Sequence, residues 1–140
     1  MPMGRPMQVE ADDSMPVRTS EDVVRVRQAV RARAVAVGFS LVDQTKIVTA
    51  ASEIARNTVD YGGGGTVRIE VLRNGIRRGV RLTFEDKGPG IADIARAMTD
   101  GYTTSNGLGL GLSGAKRLCN DFSIRSVPGE GTVVALARWK

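Results

Sequence analysis

Apolar residues recur every three or four positions in the first half of the chain, which is the period of helices buried on one side. In the first such segment they are Val23, Val26, Val30, Ala34 and Val37. Ser20 suits the N-cap of this helix, and Gly38 suits its end. A second helix is predicted over residues 42–61, and the four glycines at 62–65 that follow end it. Its apolar positions are Ile47, Ala51, Ile54 and Val59.

Strict alternation of apolar and polar residues then replaces the helical period and predicts strands with one buried face. The alternating runs cover residues 66–72 and 80–84, and Asn74-Gly75 between them favours a tight turn. The remaining pattern predicts a short helix over 93–98, a helix over 110–119, and strands over 122–127 and 132–139. Helices on one face of a mixed, mostly antiparallel sheet make this an α+β fold, a two-layer α/β sandwich.

Residues 1–15 have no such period, so we expect a flexible N-terminal tail over 1–15 and one domain over 16–140. A chain of 140 residues with 41% hydrophobic residues fits a single globular domain. The net charge is +5 although residues 1–15 contain one basic and three acidic residues, so the predicted domain is strongly basic. Such a surface suits an acidic protein, a nucleotide or a nucleic acid.

Composition narrows the classes of function. Aromatic residues make up only 4% of the chain, so the stacking surface of a nucleic-acid-binding protein is not expected. No apolar run approaches the ~20 residues of a membrane span, and residues 1–15 lack the apolar centre of a signal peptide. We therefore expect a cytoplasmic protein without a membrane segment. The absence of histidine excludes a histidine metal site or a phospho-accepting histidine, and the single Cys119 forms no intramolecular disulfide.

The first predicted helix also has four arginines outside its apolar side, Arg25, Arg27, Arg31 and Arg33. Charged residues normally cover the solvent face of a helix, and this explanation suffices for the pattern. The alternative is a docking face for an acidic partner.

Glu53 and Asn57 lie four residues apart on the second predicted helix and therefore share one face. An amide oxygen suits one position of a magnesium shell that water and phosphate oxygens complete. A carboxylate one turn earlier can take a proton from an attacking hydroxyl. The same spacing also fits an ordinary exposed polar pair.

Asp86 follows an alternating run and precedes Gly88 and Gly90. An ionised carboxylate only accepts hydrogen bonds, so a buried Asp86 selects adenine, whose exocyclic amino group donates. The two glycines allow the backbone to pass close to a base and to turn sharply. A turn at the end of a strand has a similar composition.

Glycines at 107, 109 and 111 alternate with leucines directly before a predicted helix; the six residues are Gly107, Leu108, Gly109, Leu110, Gly111 and Leu112. Exposed amides at a helix N-terminus favour phosphate. No Gly-Lys-Ser/Thr follows, which excludes a Walker loop. Thr132 starts the last predicted strand and either adds a hydroxyl near the adenine or is an ordinary β-branched residue at a strand edge.

These motifs resemble those of the GHKL ATPases, the Bergerat-fold group that includes gyrase, Hsp90, MutL and histidine kinases. Glu53 with Asn57 is similar to the N box, and Asp86-x-Gly88-x-Gly90 to the first glycine box. The alternating glycines are similar to the second glycine box, and Gly131-Thr132 to the closing motif. The likeness covers residues 17–140. The segments at 51–57, 100–104 and 107–112 are similar, more narrowly, to small stand-alone serine/threonine kinases of the anti-sigma and stressosome switch type.

The resemblance implies an ATP- and Mg²⁺-dependent kinase that phosphorylates Ser or Thr on a STAS-domain antagonist in a bacterial sigma-factor or stress-response pathway. A PP2C-type phosphatase or an anti-sigma/sigma system is a further partner of such kinases. The implied roles are general base for Glu53, magnesium ligand for Asn57 and adenine recognition for Asp86. The resemblance further implies phosphate contacts from the second glycine box and an ATP lid over 99–106 that includes Thr103 and Thr104.

Residues 99–106 contain no Lys or Arg, whereas related kinases often supply a basic residue to the γ-phosphate from this segment. A missing basic group lowers the rate of phosphoryl transfer, so we predict slow turnover by the isolated chain. Two alternatives stay open: a nucleotide-controlled binding module without catalysis, and an ATPase domain of the gyrase or MutL type. The oligomeric state is left open as well.

Overall fold

Eight elements form the fold in the computed structural model, which describes residues 7–91, Ile94, Met98 and 110–140. In chain order they are β1 (Gln8–Val17), α1 (Ser20–Val37), α2 (Leu41–Asp60), β2 (Gly65–Asn74), β3 (Arg77–Asp86), α3 (Leu110–Arg117), β4 (Asp121–Val127) and β5 (Gly131–Trp139). None of the helices in these ranges is long and apolar enough to cross a membrane.

The five strands form one sheet in the order β1-β2-β3-β5-β4, and every neighbouring pair is antiparallel. Alternate residues of the central strands point into the core and are buried, namely Val67, Ile69, Val71, Val80, Leu82, Phe84, Val134 and Leu136. The apolar sides of α1 and α2 pack onto the same core. The predicted α+β sandwich is therefore confirmed, with a sheet that is entirely antiparallel.

Helix α1 has the predicted apolar side, because its five apolar positions are all buried. Its N-cap is Thr19 and not Ser20, since the Thr19 side chain accepts a hydrogen bond of 3.1 Å from the Asp22 N–H. Gly38 ends the helix as predicted, in the left-handed conformation with φ of 94°.

The prediction of a flexible N-terminal tail is wrong for residues 8–15, because they form most of strand β1 and pair with β2. Only Ala11, Met15 and Val17 of this strand contribute to the core. Its acidic residues instead form ion pairs with arginines that are distant in sequence: Glu10 with Arg73 and Arg78, Asp12 with Arg68, and Asp13 with Arg33. A register shift between Val9 and Ala11 also interrupts the alternation. Because of the acidic residues and the register shift, this strand lacks the regular alternation of apolar and polar residues that predicts a strand from sequence.

Two predicted segments fall largely outside the described residues. From the helix predicted over 93–98, only Ile94 and Met98 are described, and the Met98 N–H donates a hydrogen bond of 2.9 Å to the Ile94 carbonyl. The segment 99–106 is entirely outside them. The other predicted helices and strands agree with α2, β2, β3, α3, β4 and β5 within a few residues.

Candidate functional site

Helix α2 presents Glu53 and Asn57 on one face, one turn apart. The helix is fixed at its start by Ser40, whose side chain accepts from the Asp43 N–H at 3.1 Å. The Glu53 side chain is 32% exposed, and its Oε1 lies 3.9 Å from Nη1 of Arg56. Asn57 is half-buried. A carboxylate thus faces solvent beside an amide that is packed against the protein.

The Asn57 amide lies against the first turn of α3. A Cβ atom added at Gly111 would be 2.6 Å from Asn57 Nδ2 and 3.2 Å from its Oδ1. Because real side chains do not approach so closely, glycine is required at 111 for this contact. The contact places the amide beside the helix end whose backbone N–H groups have no partner within the helix.

Asp86 ends strand β3, and its two carboxylate oxygens have different surroundings. Its Oδ1 accepts a hydrogen bond of 2.9 Å from the Gly88 N–H, which fixes the carboxylate. Its Oδ2 lies beside Gly62, where an added Cβ would be only 2.5 Å away. The carboxylate is therefore held between the end of α2 and the turn after β3. The motifs did not indicate this position of Gly62, although its place in the four-glycine run is a usable signal.

The backbone of the Asp86-x-Gly88-x-Gly90 turn passes close to two other segments. A Cβ at Gly88 would lie 2.6 Å from the Gly62 carbonyl oxygen. Gly90 has a φ of 77°, and a Cβ there would lie 2.5 Å from the Val127 carbonyl oxygen. Both positions therefore require glycine, and the turn joins the α2–β2 connection to the end of β4.

Thr132 lies directly opposite Asp86 in the pairing of β3 with β5. Its hydroxyl is 2.8 Å from the Ser126 hydroxyl, which also accepts a hydrogen bond of 2.7 Å from the Ile91 N–H. Ser126 therefore links Thr132 to the chain that leaves the glycine turn. No motif in the sequence pointed to Ser126.

The second glycine box is only partly described. Thr103, Thr104, Gly107, Leu108 and Gly109 lie outside the described residues. Leu110 begins α3, and Leu112 packs against the core.

Ser113, one residue beyond Leu112, is 5% exposed, and its hydroxyl makes no hydrogen bond to any described residue. No motif in the sequence indicated a role for Ser113.

The described side chains contain no cluster of three or more His, Cys, Asp and Glu residues that could hold a metal ion. A site with one amide ligand instead fits a magnesium ion that shares its shell with phosphate oxygens and water. Burial raises the pKa of Cys119 to about 12, which disfavours the reactive thiolate form.

Comparison of the chain with known proteins shows the family to which it belongs. The family described as histidine kinase-, DNA gyrase B-, and HSP90-like ATPase matches residues 42–140. The chain belongs to this family. The matched range begins in α2 and includes every predicted site residue, whereas β1 and α1 lie before it.

Two curated relatives are similar over most of the chain. The serine/threonine-protein kinase RsbT of Bacillus subtilis (strain 168) is 46% identical over 123 residues, which cover 88% of this chain and 92% of the relative. The anti-sigma F factor of Pasteuria penetrans is 32% identical over 127 residues, which cover 85% of this chain and 83% of the relative.

A solved structure supports the fold. The crystal structure of the RsbU and RsbW domains of a Mycobacterium tuberculosis protein matches 97% of this chain with a TM-score of 0.63 at 21% identity. This chain spans 33% of that longer polypeptide. At this identity the match shows a shared fold alone.

Proposed function

We propose that this protein is an ATP-dependent serine/threonine kinase that phosphorylates a STAS-domain antagonist in a bacterial partner-switching pathway. The observation that carries the proposal is the contact between Asn57 and Gly111, which joins the Glu53 face of α2 to the start of α3. The similarity to the kinase RsbT over most of both chains supports the same activity.

Glu53 is proposed as the general base. Its carboxylate is accessible to a partner's side chain, since 32% of it is exposed. It takes the proton of a Ser or Thr hydroxyl while that oxygen bonds to the γ-phosphorus of ATP. The bond between the γ-phosphorus and the β–γ bridging oxygen breaks, and ADP leaves with that oxygen. Arg56 orients the carboxylate weakly from 3.9 Å.

Asn57 is proposed to hold magnesium through its amide oxygen, with phosphate oxygens and water as the other ligands. The ion would neutralise charge on the transferred phosphoryl group. Gly111 lets Asn57 approach the N-terminal turn of α3, where backbone amides and the helix dipole favour phosphate. Gly107 and Gly109 are proposed to extend this phosphate contact.

Asp86 is proposed to accept a hydrogen bond from the adenine amino group. Its Oδ1 is already bonded to Gly88, so Oδ2 beside Gly62 is the oxygen with free acceptor capacity. The pair of Thr132 and Ser126 supports this end of the site by holding β5 and the glycine turn together.

Partner and location follow from the same proposal. A STAS-domain protein would supply the hydroxyl, and a PP2C-type phosphatase or an anti-sigma/sigma system would be the second partner. The single cysteine and the absence of an apolar span in the sequence support a cytoplasmic location.

The test is transfer of radiolabelled γ-phosphate from ATP-Mg²⁺ to a purified cognate STAS protein. Wild type is expected to label Ser or Thr, and Glu53→Ala to lose about 10²- to 10⁴-fold in rate, which is the usual effect of removing a general base. Glu21→Ala is the matched control, because the Glu21 side chain on α1 is 82% exposed. ATP binding without transfer by wild type would instead indicate the non-catalytic binding module.

A further inference from the structure

The predicted lid, residues 99–106, contains no Lys or Arg. Phosphoryl transfer places negative charge on the oxygens of the transferred group, and enzymes that catalyse it stabilise this charge with metal ions together with a Lys or Arg side chain. A cation for the γ-phosphate therefore has to come from another segment of the chain or from a partner.

Arg56 lies beside the proposed general base. It follows Glu53 by three residues on α2, and its Nη1 lies 3.9 Å from Glu53 Oε1. Among the residues that the structure describes, this ion pair is the only polar contact of the Arg56 side chain. The distance is longer than a hydrogen bond, and 44% of the side chain is exposed. The N–H donors of the guanidinium are therefore free to bind another anion close to Glu53.

The position of Arg56 fits the place where the γ-phosphate reacts. A general base lies about 2.6–3.2 Å from the oxygen whose proton it takes, and that oxygen lies about 3–3.5 Å from the phosphorus before reaction. The phosphoryl group thus comes within about 7 Å of the Glu53 carboxylate. The guanidinium of Arg56 is already beside this carboxylate, on a long and partly exposed side chain. A change of rotamer, without a movement of α2, suffices to bring it to the phosphoryl oxygens.

Other basic residues on the same elements are less well placed. Lys46 lies two turns before Glu53 on α2, about 10 Å along the helix axis. Lys87 follows β3 and belongs to the turn at the proposed adenine end of the site. Lys116 and Arg117 are in the last turn of α3, whereas the contact with α2 is in the first turn. The cation three residues after Glu53 is therefore the one best placed for the γ-phosphate.

We propose that Arg56 supplies the cation that the predicted lid lacks and binds the γ-phosphoryl oxygens of ATP during transfer. This role rests on the proposed kinase function. The guanidinium stays protonated throughout and donates N–H···O hydrogen bonds to the phosphoryl oxygens. The proton of the acceptor hydroxyl still goes to Glu53, and the bridging oxygen leaves with ADP. An interaction that is stronger in the transition state than with bound ATP raises the rate of transfer.

The exposure of Arg56 gives the docked substrate protein a part in this contact. In the free chain, 44% of the side chain faces water, which screens its charge. A protein that presents its hydroxyl to Glu53 has to cover this part of α2 and so excludes water from Arg56. We therefore expect the contact to be weak in the free chain and strong in the complex, in line with the predicted slow turnover by the isolated chain.

The test compares the affinities of ATP and ADP, because only ATP has the γ-phosphate. Isothermal titration in the presence of Mg²⁺ gives both Kd values and requires no phosphate transfer. We expect Arg56→Gln to weaken ATP binding about three- to tenfold, the size of a partly exposed hydrogen bond, and to leave ADP binding unchanged. Single-turnover transfer to the cognate STAS protein should slow by about 10²-fold or more, because the docked protein excludes water from the contact.

Further variants separate a direct contact from an effect through Glu53. Removal of the Arg56 charge leaves the Glu53 carboxylate without its cation, so that this carboxylate repels the γ-phosphate more strongly. Arg56→Gln is therefore also made in the Glu53→Ala protein, where the loss of ATP affinity should persist. Arg56→Lys keeps the charge but not the forked geometry of the guanidinium, and it should recover part of the transfer rate.

The matched control is Lys46→Gln. It removes one positive charge from the same helix, about 10 Å from Glu53 along the axis and beyond the Debye length at physiological salt. It should bind ATP and ADP like wild type. Circular dichroism checks that each variant is folded.

Several results would contradict the proposal. An unchanged ratio of ATP to ADP affinity in Arg56→Gln would exclude a contact with the γ-phosphate. A change of this ratio that vanishes in the Glu53→Ala protein would mean that Arg56 acts only on the general base. An equal effect of Lys46→Gln would indicate the net charge of α2. Arg96 lies outside the described residues and is changed to glutamine in parallel; a loss of ATP preference there, but not in Arg56→Gln, would assign the cation to Arg96.

Failure of this inference and failure of the proposed function give different results. Phosphate transfer by wild type, with an unchanged ATP preference in Arg56→Gln, would overturn the role of Arg56 alone. Binding of both nucleotides by wild type without any transfer would overturn the kinase function and, with it, the role of Arg56 in transfer.

Discussion

The two flanks of helix α2 differ in how they are packed. On one flank, Asn57 meets α3 so closely that a Cβ at 111 would displace the Asn57 amide. On the other flank, α1 leaves a groove in which Arg27 and Arg31 have no acidic partner among the residues that the structure describes. We propose the close flank as part of the nucleotide site, whereas the flank beside α1 is left partly open to solvent. Substitutions on the α1 side of α2 should therefore leave the proposed nucleotide site intact.

Among the variants that change nucleotide binding or stability, the largest expected effect is on the close flank. Gly111→Val should reduce ATP affinity by about tenfold or more, because the new side chain collides with the Asn57 amide and must push α3 or Asn57 aside, at a cost of about 1–3 kcal/mol. Isothermal titration with ATP-Mg²⁺ measures the change. Gly114→Ala is the control, since a Cβ there meets no atom within 4 Å and alanine favours a helix. Equal affinities in the two variants would mean that the Asn57 contact does not shape the site.

Asp86→Asn should have an effect of similar size that is selective for ATP. The amide that replaces Oδ1 or Oδ2 loses acceptor capacity, so ATP binding should weaken by about 1–3 kcal/mol while the weak binding of GTP changes little. Competition of both nucleotides against a fluorescent ATP analogue measures the preference. Glu85→Gln, one residue earlier and exposed, is the control. An unchanged ATP preference in Asp86→Asn would exclude this carboxylate from adenine recognition.

The smallest effect should come from Asp43→Asn, in the first turn of α2. Asp43 accepts hydrogen bonds of 3.2 and 2.7 Å from Arg138 of β5, and this partner lowers the pKa of its carboxyl. The carboxylate therefore stabilises the fold above its ordinary pKa of about 4, and this contribution is lost as pH falls through the lower folded-state value. We expect Asp43→Asn to lower the free energy of unfolding by about 1 kcal/mol at pH 7. The loss is modest because the hydrogen-bonded pair of Asp43 and Arg138 is partly exposed to solvent.

Thermal unfolding from pH 7 down to about pH 3 tests this expectation. The difference in unfolding free energy between wild type and Asp43→Asn should shrink towards acid pH. A difference that stays constant with pH would show that the ionised carboxylate is not the stabilising group.

Periodicity predicted most of the fold because burial in the helices and central strands is a local pattern. The buried positions of α1 and the alternation in β2 and β3 are examples. Strand β1 could not be predicted in this way, because Glu10, Asp12 and Asp13 interrupt its apolar pattern. The arginines that pair with them lie 20 to 68 residues away in the sequence.

In the candidate site too, local patterns predicted single residues but not the contacts between segments that are distant in the chain. Asp86, Glu53 and Asn57 could be selected by residue type and spacing. The approach of Gly62 to Asp86, the contact of Gly111 with Asn57 and the link from Ser126 to Thr132 join segments that are distant in the chain. For the same reason the sequence could not separate Arg27 and Arg31 from Arg25 and Arg33, because only the fold shows which arginines meet an acid.

The most direct test of the central claim is a single-turnover measurement of γ-phosphate transfer from ATP-Mg²⁺ to the cognate STAS protein, with ATP affinity measured on the same samples. The account predicts that Glu53→Ala binds ATP nearly as well as wild type yet transfers phosphate about 10²- to 10⁴-fold more slowly, while Glu21→Ala does both normally. Transfer by Glu53→Ala at the wild-type rate would contradict the assignment of the base and the function built on it.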